Sequence, residues 1–139
     1  NAGLSAPQAS VGSGWSATPY GAGCAGVLGV PSLQALSAPF GDTTFYLAGG
    51  NAPPSAIGFV VLSAGQQPFP VDLGDGICSN VQSPFKWSFG LTGPTGHFVL
   101  GLPVPSGASG ALVFAQYVVA AGSGGNTFAS SAGLAILAP

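Results

Sequence analysis

A chain of 139 residues is long enough for one domain with a real core, and its hydrophobic fraction of 47 % is ordinary. Its charged fraction is only 3 %, where a typical soluble domain carries roughly a quarter: Lys86 is the single Lys or Arg, and Asp42, Asp72 and Asp75 are the acidic residues. That composition excludes nucleic-acid binding, which needs clustered Lys and Arg on phosphate, and it excludes adhesion to anionic lipid through a polybasic patch.

A net charge of −2 gives little colloidal repulsion, so the surface has to be packed against copies of itself or covered by small polar groups. The apolar runs "IGFVVL", "HFVLGLPV" and "ALVFAQYVVAA" fall short of the roughly 20 residues a spanning helix needs, and no membrane insertion is expected. An outer-membrane barrel is set aside because the chain is too short for all but the smallest. The start, "NAGLSAPQAS", has neither a basic n-region nor an apolar h-region, as expected for a processed secreted chain.

In chain order, residues 1–18 read as a Gly/Ser-rich arm whose anchors are Leu4, Val11 and Trp15. The arm is either a flexible linker or an extended inter-subunit element that pairs with a neighbour's sheet edge. Residues 19–139 read as a single β domain. Cys24 and Cys78, in a chain without Met or CxxC, fit one disulfide in an oxidising compartment; two free buried thiols are the alternative. Such a disulfide would stabilise the fold by about 3–4 kcal/mol in the chain-entropy model.

"DTTFYLAG" places Thr43, Phe45 and Leu47 on one face and Thr44, Tyr46 and Ala48 on the other, with Asp42 as a turn residue opening the strand. "AIGFVVLSAG" and "GALVFAQYVVAAG" are apolar on both faces and read as central or covered strands. "PFKWSFGLT" groups Phe85, Trp87, Phe89 and Leu91 on one face, so Trp87 is expected in the core; Lys86 falls on the polar face and is expected at a rim. "GHFVLGLPV" buries Phe98, Leu100, Leu102 and Val104, and "TGPTG", residues 92–96, is expected to join the last two strands as a hairpin. "NTFASSAGLAILAP" reads as a final strand with a bulge or a Gly-mediated close approach. Helix has no support, because no breaker-free 3.6-residue repeat exists. The sum is an all-β, antiparallel β-sandwich, Ig-like or jelly-roll-like, of roughly eight or nine short strands; a closed barrel is the alternative.

Chemistry has few players. His97 is the only base of its kind, no GxSxG accompanies it, and no catalytic residue or enzymatic activity is expected. Asp72 and Asp75 in "VDLGDG" are a weak Ca²⁺ candidate; the DxxDG spacing lacks the remaining ligands, and turn-capping is the preferred role. No other metal and no cofactor is expected. Among the aromatic residues, Trp15 is the better candidate for an exposed anchor.

From Tyr20 onward the chain resembles a small secreted Gly/Pro-rich β-domain of extracellular proteins in planctomycetes and other environmental bacteria. The resemblance runs through "YGAGCAGVLGVPSL", "NAPPSAIGFVVLS", "PVDLGDGICSNV", "FVLGLPVP", "LVFAQYVV" and "SSAGLAILA", in the family's order. It implies a secreted all-β domain whose two cysteines pair, and it does not imply an enzyme. The chain departs from the family in carrying less charge and in "YVVAAGSGG", where relatives usually have an acidic residue.

The function expected from these features is that of a secreted structural protein at the bacterial cell surface, a subunit that self-assembles as a homopolymer into an extracellular filament, sheath or surface layer. A carbohydrate-binding or adhesin-like module that contacts glycans is the alternative.

Overall fold

A computed structural model of the chain describes residues 14–139. Its centre is the pair β4 (Ile57–Ser63) and β9 (Leu112–Val119), the two runs that are apolar on both faces. They pair antiparallel, Phe59 opposite Val118 and Val61 opposite Gln116. β9 is flanked by β11 (Gly133–Leu137), which pairs in turn with β1 (Ser16–Tyr20) at one edge; β4 is flanked by β7 (Lys86–Leu91) at the other. The short β10 (Ala129–Ser130) also pairs with β9 and completes a six-stranded main sheet. Among the described residues all eleven strands pair antiparallel and no helix occurs, so the chain is all-β with a sandwich-like arrangement of sheets.

The second layer is a three-stranded sheet in the order β2 (Ser32–Ala35), β3 (Thr44–Gly50), β8 (Phe98–Pro103). The alternation expected for β3 and β8 holds: Phe45, Leu47, Phe98 and Leu102 are buried, while Tyr46 and Val99 face outward. Asp42 opens β3 from the left-handed region (φ 61°), where a short side chain is tolerated. The main core lies between these sheets, joining Phe45, Leu47 and Leu102 to Val60, Tyr117, Leu134 and Ile136.

The opposite face of the main sheet is partly covered by a third piece, the hairpin of β5 (Gly65–Asp72) and β6 (Cys78–Gln82). Val81 from β6 packs with Val61 and Phe114 there, flanked by Tyr20, Phe59 and Ala135. This cover is why the outward sides of β4 and β9 are also apolar.

The expected irregularity in the last strand is a bulge. Between Ser130 (opposite Val118) and Leu134 (opposite Ala115) β10 and β11 advance four residues while β9 advances three. The Tyr117 N–H donates to Ser131 Oγ at 3.0 Å, and the Ser131 N–H donates to the Tyr117 carbonyl at 2.8 Å, so the extra residue is satisfied. The close approach is at Gly133, where a Cβ would stand 2.3 Å from Cζ of Tyr20.

Two expectations are corrected. "TGPTG" is not a hairpin turn, because β7 pairs with β4 and β8 with β3; residues 92–96 carry the chain from one sheet to the other. Trp87 is not in the core, because β7 presents Ser88 and Gly90 inward and its aromatic face outward. The physical reason is the stacked pair Phe98–Tyr117, whose centroids lie 5.7 Å apart and which fills the interior beneath β7. A Cβ on Gly90 would meet Phe98 Cε1 at 2.2 Å, so nothing larger than glycine fits at that position.

Candidate functional site

The disulfide joins Cys24 to Cys78, with Cα atoms 5.6 Å apart and a sequence separation of 54. It is tied to the sheet by Ser130: Cys24 exchanges backbone bonds with Ser130 at 2.9 and 3.0 Å, and the Cys78 N–H donates to Ser130 Oγ at 2.9 Å. Beside it lies a buried polar network that the sequence pattern did not single out. Gln116 Oε1 accepts from the Asn80 N–H at 2.8 Å, and its Nε2 donates to the carbonyls of Cys78 and Ser131. Asn80 Nδ2 donates to the Ala22 carbonyl at 2.8 Å, and the Tyr20 hydroxyl donates to the Asn80 carbonyl at 2.8 Å. The signal was present as a lone Gln in the middle of a strand apolar on both faces, a position where an amide is buried only to satisfy backbone groups.

The candidates for chemistry are dispersed. Asp72 Oδ1 accepts from the Gly74 N–H at 2.8 Å, and Asp75 Oδ1 accepts from the Thr127 N–H at 2.6 Å. Both aspartates therefore act as turn and loop caps, with Asp75 itself at φ 56°. Among the described residues no three of His, Cys, Asp and Glu come together as a metal site would need. His97 and Lys86 are exposed. Of the arm anchors, Leu4 and Val11 lie outside the described residues. Trp15 is half-buried, and Ser16–Thr18, assigned to the arm from sequence, form the first part of β1 within the chain's own main sheet.

What the structure does bring together is an apolar face. On the outer side of β7 and β4, beyond the reach of the β5–β6 hairpin, Trp87 is 52 % exposed, Phe89 65 %, Leu91 65 % and Ile57 53 %. Phe59 lies beneath them, its ring 5.4 Å from that of Trp87 and 5.3 Å from that of Phe89, tilted by 43° and 47°. Phe128 closes the cluster edge-on to Phe59 at 6.3 Å. The register makes the cluster contiguous, with Trp87 opposite Val61, Phe89 opposite Phe59 and Leu91 opposite Ile57. β7 is also the edge strand of its sheet, so it offers backbone groups as well as side chains. Across the sandwich the outer face of the three-stranded sheet exposes Tyr46 and Val99.

Comparison of the chain with family models, with curated proteins and with solved structures returns no match. Among the described residues no helix is long and apolar enough to cross a membrane, and the disulfide is compatible with an extracellular location.

Proposed function

We propose that this chain is a secreted structural subunit that assembles with copies of itself, the outer face of β7 and β4 on one copy seating against the outer face of β3 and β8 on the next. The observation that carries the reading is the cluster of Trp87, Phe89 and Leu91 on edge strand β7 and Ile57 on the adjacent β4, each more than half exposed, in a chain with 3 % charged residues. A contiguous apolar patch of this kind marks a surface that a partner covers, and Lys86 is the single charged side chain that β4 and β7 carry. The two faces lie on opposite sides of the sandwich, so a contact between them repeats head to tail and grows an open fibre. The disulfide and the resemblance to secreted β-domains agree with an extracellular setting.

A glycan-binding role has the exposed indole of Trp87 in its favour. The ring geometry weighs against it. The rings tilt into one another instead of lying in one plane, and their neighbours Ile57 and Leu91 have no groups for sugar hydroxyls. Electron microscopy and sedimentation velocity of the native protein test the proposal: regular fibres or large oligomers support it, and a stable monomer at high concentration overturns it. Saturable binding on a glycan array, lost in Trp87→Ala, would move the assignment to glycan recognition.

A further inference from the structure

Two rows of residues cross the outer face of the three-stranded sheet. In one, Gln34 of β2, Ala48 of β3 and Val99 of β8 stand side by side. In the next, Ser32 stands opposite Gly50, and His97 lies on the other side of that glycine. Gly49 faces the core, where a Cβ would meet Tyr117 Cε2 at 2.7 Å, so Gly50 faces outward. A Cβ on Gly50 would lie 2.9 Å from Ser32 Oγ, 3.2 Å from His97 Nδ1 and 3.6 Å from His97 Cε1. The imidazole therefore leans over the space the glycine leaves and forms part of the sheet surface. It is exposed, on the same face as Val99 and about 7 Å along the strand from it.

We propose that His97 sets the pH at which copies of the chain associate: the contact between the β7–β4 face and the β3–β8 face forms over a neutral imidazole and comes apart when the ring is protonated. This rests on the assembly reading above and adds its regulation.

The argument is one of charge without a partner. Histidine is the side chain type that gains a charge between pH 8 and 5. Around the ring, β2 brings Ser32 and Gln34, β3 brings Gly50, Ala48 and the uncharged phenol of Tyr46, and β8 brings Val99; residues 92–96 hold only Thr, Gly and Pro. Asp42 lies beyond the far end of β3, more than about 20 Å along the strand. Asp72 and Asp75 belong to the β5–β6 hairpin, on the far side of the main sheet. The facing copy brings β4 and β7, whose single charged side chain, Lys86, is another cation. Its aromatic rings attract a cation that lies over them, but this replaces only part of the hydration a buried imidazolium loses. Acid therefore favours separate copies, in which the ring keeps its water.

Net charge alone predicts the opposite. Protonation brings the chain from −2 toward zero, which weakens repulsion and favours association. Dissociation in acid is thus a signature of this site.

Sedimentation velocity of the native chain and of His97→Gln, at about pH 7.5 and about pH 5, tests the proposal. The native chain is expected to assemble at the higher pH and dissociate at the lower. Its critical concentration should rise about tenfold per unit of pH below about 6, because one proton leaves for each copy added. His97→Gln, an exposed substitution, is expected to fold as the parent does and to assemble equally at both. Native polymers that persist at the lower pH, or a His97→Gln chain that dissociates there as the parent does, overturn the role of His97 and leave the assembly reading standing. Native chain and variant both monomeric at the higher pH overturn the assembly reading and this one with it.

Discussion

The backbone N–H of Asn80 donates to the side-chain oxygen of Gln116 at 2.8 Å, and this bond joins the β5–β6 hairpin to the centre of the main sheet. Gln116 is 2 % exposed and Asn80 1 %, so both amide side chains lie out of water's reach. One glutamine serves three backbone groups on two elements: the Asn80 N–H, the Cys78 carbonyl and the Ser131 carbonyl. The Asn80 side chain extends the connection to Ala22, so that the loop bearing Cys24, the strand bearing Cys78 and the bulge after β10 are tied at one point.

Replacing Gln116 with Leu keeps the volume and removes all three bonds. Buried groups left unpaired cost about 1–3 kcal/mol each, with partial relief as the structure relaxes, so Gln116→Leu is expected to destabilise the fold by about 3–5 kcal/mol. Chemical denaturation at neutral pH reads this directly. A midpoint within error of the parent would show that the hairpin is held by its apolar contacts alone.

The disulfide acts on the same junction by a different route. Closing a loop of 54 residues restricts the unfolded chain, and the entropic model assigns this about 4 kcal/mol. Replacing Cys24 and Cys78 together with Ser is expected to lower Tm by roughly 10–15 °C in a chain of this size. Calorimetry of the double variant in the absence of reductant gives the number. A shift below a few degrees would mean that the Asn80–Gln116 network already restrains the same loop.

Tyr117 makes a contrasting case. It is fully buried against Phe98, and its hydroxyl finds no hydrogen-bond partner among the described residues. Burial pushes its pKa up from 10.0 to about 12, and burial does the same to Tyr20. A folded-state pKa above the unfolded value means stability that is fully present below pH 10 and lost as pH rises from 10 toward 12. Tyr117→Phe is therefore expected to hold or raise stability at pH 7, by about 0.5–1 kcal/mol, and to flatten the alkaline loss, leaving the part due to Tyr20. Urea midpoints at pH 7 and across pH 10 to 12 check both statements. A clear loss at pH 7 would reveal a bonded hydroxyl.

Much of this fold was legible in the pattern of residues. Strict alternation placed Phe45, Leu47, Phe98 and Leu102 inward, and apolarity on both faces marked β4 and β9 as central. β7 was misread because a period of two says which residues share a face, not which face is inside. The choice was made by Phe98 of β8, which belongs to the other sheet, and Tyr117 of β9, which leave room only for Gly90. β5 gave no clear strand signal because Pro68 and Pro70 fall in the stretch between Gln66 and Val71 where its pairing with β6 is broken. The apolar face of β7 was visible as a set of residues from the start; only the tertiary structure could turn it outward.

That outward face gives the sharpest prediction about assembly. Phe89 and Val99 are both exposed, so Phe89→Asp and Val99→Asp are expected to fold as the parent does, within about 0.5 kcal/mol. Each places a carboxylate in the middle of one of the two opposed faces, and burying it unpaired in an interface is costly enough to stop growth. Each variant alone is expected to sediment as a monomer. A head-to-tail contact has a further consequence. The intact β7 face of the Val99→Asp chain can still meet the intact β3–β8 face of the Phe89→Asp chain, so an equal mixture is expected to form dimers and stop there. Were the contact instead a two-fold pairing of β7 faces, Val99→Asp alone would dimerise and the mixture would add nothing. Sedimentation velocity on the three samples separates the two geometries, and polymers formed by both variants as readily as by the parent would remove these faces from the assembly altogether.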